Sequence, residues 1–261
     1  MSLCSWLNEG PSQVFWNVVG GGVTAALFES YAWARRSLLK KSFTEVFGKD
    51  VGSSDFHLVY ALFRLKDLMP PDPMPYRKPG FDDVSISISR PVSFPEVRAA
   101  KYLSEGIASN RFSPPCLTPD CELNAKMDVS FVAFGGPLSN LKSRDAINCR
   151  NALVKFDNKE FLSPHSDRKI VVRQPGFDYG LILKVQPPQF PSRTWFTCAG
   201  VSEWGTSGAA WYLAKKWKEI HGFAGRAPFA IIVKVREGQD EYAEPVLRVT
   251  TASEVKKAEI K

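Results

Sequence analysis

Two stretches of the chain put glycines beside short polar side chains where an apolar run gives way to a helical pattern. The first is Gly135-Gly136-Pro137-Leu138-Ser139-Asn140, directly after MDVSFVAF. The second runs from Ala199-Gly200 through Val201, Ser202, Glu203, Trp204 and Gly205 to Thr206-Ser207-Gly208, directly after TWFTC. Glycine lets backbone approach a ligand closely and reaches positive φ at little steric cost. A helix starting just afterwards offers unpaired N–H groups and its positive dipole end to an anion. Ser139 or Asn140 can cap the first helix. Thr206 and Ser207 can cap the second and donate to phosphate or ribose oxygens. Ligands of parallel sheets bind outside the carboxyl ends of the strands, so two such loops at neighbouring strand ends would face one pocket. The expected ligand is nucleotide-like or otherwise phosphorylated. Its candidate contacts are Gly135, Gly136, Ser139, Asn140, Gly200, Ser202, Trp204, Gly205, Thr206 and Ser207, with Asp67 as a further loop carboxylate. Trp204 can stack on a base or pack on the domain.

If there is catalysis, Glu203 is the candidate carboxylate, because it lies inside a ligand loop. Asp178, in Pro-Gly-Phe-Asp-Tyr-Gly before LILKV, can contact a ribose hydroxyl, act as a base, or simply start a turn. The usual signatures are missing: there is no G-x-G-x-x-G, no G-K-[ST] and no G-x-S-x-G. His57, His165 and His221 read as surface or structural residues. Cys116 and Cys121 bracket Leu-Thr-Pro-Asp with no histidine nearby, so no metal site is expected. No cofactor is expected either. The turn at Gly205-Thr206 resembles the Gly-Thr turn of Rossmann-like nucleotide-processing and nucleotide-sensing domains of the LOG and Smf/DprA kind. Those enzymes place a glutamate just after the Gly-Thr step, where this chain has Ser207 and Gly208. The resemblance is confined to this turn.

The elements that would position these loops follow from apolar periodicity. Buried-strand runs are Phe56–Leu65, Met127–Phe134, Thr194–Gly200, Phe229–Val235 and Pro245–Thr251, with an alternating run at Val84–Arg90. Shorter strand candidates are Leu153–Phe156, Lys169–Arg173 and Tyr179–Val185. Ser93-Phe-Pro-Glu96 has the form of a capping box with proline in the first turn, and it opens a helix to about Ala108. Further helices are expected at 141–153, after the first glycine-rich loop, and at 209–220, after the glycine-containing turn of the second. Residues 110–126 read as an irregular loop. The alternation implies a three-layer α/β sandwich of Rossmann-like type, with a mostly parallel sheet and an antiparallel insertion. The alternative is an α+β fold with a separate antiparallel C-terminal sheet.

The N-terminus reads differently. Residues 14–34 are apolar except for a few polar positions, are bracketed by Trp16 and Trp33, and are followed by Arg35, Arg36, Lys40 and Lys41. That pattern suggests a single-pass anchor with the main domain on the cytosolic side. The expected divisions are an anchor at 1–34, a basic amphipathic connector at 35–55, a ligand-binding domain at 56–252 and a charged, frayed tail at 253–261. The chain carries 34 basic and 27 acidic residues, for a net charge of +7. The basic residues are scattered and no reading motif accompanies them, so nucleic acid is not an expected partner. Five cysteines without C-x-x-C spacing argue against a disulfide framework and suit a reducing compartment. Together these features suggest a membrane-anchored module that binds a nucleotide-like ligand and can form a homo-oligomer, as a sensor or effector in signalling or defence. A nucleotide glycosidic-bond hydrolase and a protein-interaction scaffold are the alternatives.

Overall fold

The computed structural model describes residues 11–62, 92–123, 125 and 127–260, and for residues 11–28 the backbone alone. Asp67 and the run Val84–Arg90 lie outside the described residues. The chain divides into two units, Met1–Ser42 and Phe43–Lys261. Most of the first unit is helix α1, Pro11–Phe47, whose last residues belong to the second. Among the described residues no helix is long and apolar enough to cross a membrane, so a spanning segment at 14–34 finds no support.

The second unit holds strands β1 (Phe56–Tyr60), β2 (Cys116–Pro119), β3 (Ser130–Phe134), β4 (Lys155–Asp157), β5 (Glu160–Leu162), β6 (Phe177–Val185), β7 (Trp195–Gly200), β8 (Phe229–Arg236) and β9 (Glu244–Val249). Its helices are α2 (Phe94–Ser109), α3 (Asp120–Leu123), α4 (Leu141–Ile147), α5 (Glu203–Lys215), α6 (Trp217–Ala224) and α7 (Ala252–Ala258). Seven strands form one sheet in the order β2-β1-β3-β7-β6-β8-β9. β2, β1, β3 and β7 pair in parallel, whereas β6 pairs antiparallel with both β7 and β8, and β9 antiparallel with β8. Five strands therefore run one way, and β6 and β9 the other. β4 and β5 form a separate hairpin. The result is a mixed α/β fold with a mostly parallel central sheet flanked by helices, as in Rossmann-like domains.

The central strands β3, β6, β7 and β8 are buried on both faces, which is why β3, β7 and β8 read as apolar runs. On one face Phe131, Leu181, Leu183 and Ile232 pack with Ala146 and Ile147 of α4, Phe156 and Phe161 of the hairpin, and Val255 of α7. On the other, Phe196 of β7 meets Phe47, and Phe43 packs on Phe47, Phe112 and Trp217. Phe43, Val46 and Phe47 are completely buried. The compact unit thus begins inside the stretch read from sequence as a connector.

Several boundaries differ from expectation. Residues 110–126 contain an edge strand and a short helix, β2 and α3. Lys169–Arg173 forms no strand, only a single bridge between Leu162 and Lys169. The C-terminal tail is helix α7, started by a capping box between Thr251 and Glu254. Most consequentially, α5 starts at Glu203, so Gly205, Thr206 and Ser207 lie in its first turns rather than in a loop. The glycines, which argue against a helix in isolation, are demanded by packing. A Cβ on Gly205 would lie 2.1 Å from the carbonyl oxygen of Tyr179, and one on Gly180 would lie 2.0 Å from that of Gly205.

Candidate functional site

The C-terminal ends of β3 and β7 meet the starts of α2 and α5 at a cleft of about 410 Å³. Its lining comprises Ser93, Phe94, Pro95 and Glu96 from α2 and its entry, Gly135, Gly136 and Ser139 from the β3–α4 loop, and Gly200, Ser202, Glu203 and Thr206 from β7 and α5. The two glycine-rich stretches therefore border one concavity. No lysine or arginine lines it among the described residues. A larger surface depression of about 850 Å³ lies elsewhere, against Glu160, Arg168, Lys169, Arg173 and Ile260, and none of the sequence-derived candidates borders it.

Each candidate can now be placed. Gly135 has a φ of +89°, and a Cβ there would lie 2.7 Å from Glu96 Oε1 and 3.0 Å from Ser139 Oγ. It is a true left-handed turn position. Gly136 has no positive φ, and a side chain there would meet the Phe156 ring at 3.3 Å. Ser139 donates to the Gly136 carbonyl (3.1 Å) and borders the cleft. Asn140 does not border it. Its Oδ1 accepts from the amides of Lys142 and Ser143, and its Nδ2 donates to the carbonyls of Val59 and Phe134. Fully buried and fully satisfied, it ties β1, β3 and α4 together and has no capacity left for a ligand.

Asp178 is likewise committed to structure. Its carboxylate accepts from the amides of Tyr179 (2.7 Å), Ser202 (3.1 Å) and Gly205 (2.5 Å) and from Ser202 Oγ (2.6 Å). It supplies the anion at the start of α5 that sequence reasoning reserved for a phosphate. Ser202 stays exposed at the cleft but spends its hydroxyl proton on Asp178. Thr206 borders the cleft and accepts from the Gly200 amide (3.0 Å). Ser207 is buried, with its hydroxyl toward the Trp204 carbonyl (3.4 Å), and Gly205 packs on β6. Neither lines the cleft. Trp204 is turned to the flank, where the Arg98 guanidinium lies 5.1 Å from its ring centroid. Arg98 is in turn paired with Asp240. Glu203 remains, exposed on the rim as the first residue of α5.

Sequence reasoning missed the most unusual group. Glu96 has the position of a capping-box glutamate, yet Ser93 makes no side-chain cap. Its carboxyl instead crosses to the end of β1, where Oε2 accepts from the Ala61 amide at 2.7 Å. The residue is only 3% exposed. Burial pushes its carboxyl up to about 8, against the opposing Ala61 hydrogen bond and with help from the neighbouring Asp120 carboxylate. Asp120 accepts from the amides of Leu62 (3.3 Å), Cys121 (2.9 Å) and Leu141 (3.0 Å), and so fastens the strand ends around Glu96. The available sequence signal was a glutamate at a helix start. Its tertiary partner lies 35 residues earlier, which no local pattern reveals.

Among the described residues no group of three or more His, Cys, Asp or Glu is placed to hold a metal ion. Cys116, Cys121, Cys149 and Cys198 are free, and burial pushes the Cys198 thiol up. Comparison of the chain with protein-family models, with curated proteins and with solved structures finds no match.

Proposed function

We propose that the Phe43–Lys261 unit binds a small nucleotide-like molecule in the cleft between α2, the β3–α4 loop and α5, and serves as a ligand sensor in signalling or defence. The observation that carries this reading is the meeting of two glycine-rich strand ends at one concavity, bordered by Ser139, Ser202, Thr206 and Glu203. Those side chains suit a hydroxyl-bearing ligand, because hydroxyls and carboxylates accept from sugar hydroxyls. Membrane attachment through residues 14–34 and self-association would relay binding to a partner. A second reading, a glycosidic-bond hydrolase, is favoured by one specific feature. Two carboxyl groups, Glu96 and Glu203, border the same cleft. A neutral Glu96 would protonate the leaving group while Glu203 activates water.

A thermal-shift and calorimetric screen of nucleosides, nucleotides and dinucleotides, with chromatography of the products, tests both readings. Binding without turnover supports the sensor. Turnover that Glu203→Gln abolishes while leaving affinity intact supports the hydrolase. A ligand bound equally by the parent and by Ser139→Ala and Glu203→Gln variants would place the pocket elsewhere.

A further inference from the structure

Glu96 is a buried carboxyl with one oxygen that no described residue uses. Oε2 takes the Ala61 amide. Oε1 lies beside Gly135 Cα, close enough that a Cβ there would approach within 2.7 Å, and no donor reaches it among the described residues. No buried side-chain oxygen among the described residues lacks a partner, so Oε1 opens on the cleft, and there water or a ligand atom completes its hydrogen bonding. Among the described residues that line the cleft, the titratable groups are all carboxyls. Glu203 stands on the α5 rim, and Asp120 lies next to Glu96. The β3–α4 loop contributes no titratable group to the lining. Tyr60 and Lys101 share only the neighbouring groove along α2 with Glu96. The start of α5 is already occupied by Asp178.

We infer, building on the ligand-binding reading above, that Glu96 contacts the ligand at the floor of the cleft, and that the ligand presents to it a neutral hydrogen-bond acceptor of a nucleoside rather than a phosphate. Among the described residues a phosphate would meet two carboxyl groups, no lysine or arginine in the lining, and a helix start whose amides Asp178 already takes. A ring nitrogen, carbonyl or ribose oxygen would receive the Glu96 proton. Burial holds that proton in place up to a pH of about 8. A 5′-phosphate on such a ligand would remain at the open mouth, in solvent.

Calorimetric titration of the full chain with adenosine, guanosine, cytidine and uridine, and with the 5′-monophosphate of each, tests this between about pH 6 and about pH 10. At least one nucleoside should bind, and its monophosphate should bind no more tightly. The nucleoside affinity should fall about tenfold per pH unit once Glu96 has ionised, and Glu96→Gln should bind with that pH dependence removed. In the infrared difference spectrum of the parent, ligand should shift the C=O band of a protonated carboxyl, a readout that does not depend on the variant folding. A monophosphate binding tenfold or more above its nucleoside overturns the inference while leaving the cleft as the ligand site. So does a nucleoside pH profile unchanged in Glu96→Gln, or an unshifted carboxyl band. Failure of every nucleoside and monophosphate to bind overturns the ligand-binding reading itself.

Discussion

Replacing Glu96 by glutamine should make the protein more stable, by an amount that depends on pH in a calculable way. The carboxyl ionises near 8 in the folded chain against an ordinary value of 4.5. Between those limits the native state holds a proton that the unfolded chain has released. Stability therefore falls as pH rises through this window, the reverse of a salt-bridged carboxylate. Each step of one on the pH scale is worth about 1.4 kcal/mol, so the accumulated cost is near zero below about pH 4, about 3 kcal/mol at pH 7 and approaches about 5 kcal/mol above pH 8. Glutamine keeps an oxygen for the Ala61 amide and cannot ionise. The stability difference, variant minus parent, should follow that curve. With a urea slope of about 2 kcal/mol per molar, the midpoint gain at pH 7 is about 1.5 M. Lys184 bends the parent's own profile the other way. Its ammonium is buried, donates to the carbonyls of Glu45 and Arg226, and is pushed down to about 7, so stability is regained as pH climbs from about 7 toward 10.5. Lys184 sits at the opposite end of the sheet from the cleft. Its contribution should therefore cancel when variant and parent are compared at each pH. A difference that stays flat from pH 5 to pH 9 would refute a neutral Glu96.

Gly205→Ala should cost on the order of 1–3 kcal/mol, because the new methyl meets the Tyr179 carbonyl oxygen at 2.1 Å. The matched change Gly222→Ala, in α6 with nothing within 4 Å, should be neutral or stabilise by about 0.5–1 kcal/mol. Urea midpoints that do not differ between the two would remove the packing explanation for Gly205. A chain beginning at Phe43 should fold, whereas one beginning at residue 53 loses Phe43, Val46 and Phe47 from the core. With each phenylalanine worth about 3–5 kcal/mol, that chain should show no cooperative thermal transition. Membrane attachment through residues 14–34 predicts that a reporter fused after residue 41 sediments with membranes after carbonate washing. Recovery in the soluble fraction would dismiss it.

Much of the fold could be read along the chain because strands buried on both faces need unbroken apolar runs. That requirement marked β3, β7 and β8 and the helices that follow β3 and β7, whereas β6 read only as a shorter candidate at Tyr179–Val185. The helix start at Ser93-Phe-Pro-Glu96 was legible because proline in the first turn acts locally, although Ser93 makes no side-chain cap. The middle of the sheet was less legible. Nothing local distinguishes β6, antiparallel between β7 and β8, from the parallel strands beside it, because pairing partners are chosen by distant segments. The hairpin β4–β5 and the edge strand β2 are too short to show a period.

At the site, the sequence by itself determined that glycines and small polar residues follow β3 and β7, and hence that backbone would come close to something there. Only the tertiary structure decided what that something is. For Gly205 it is the Tyr179 carbonyl, not a ligand. For Asp178 it is the start of α5, and for Asn140 the ends of β1 and β3. These residues are spent on holding the strand ends together, because buried polar groups must find partners and the nearest ones are backbone amides and carbonyls. The buried carboxyl that opens on the cleft belongs to Glu96, a residue whose local pattern spoke only of helix capping. Its ionisation is set by burial and by Asp120, both supplied by segments distant in the chain, and burial of that kind exists only once the chain has folded.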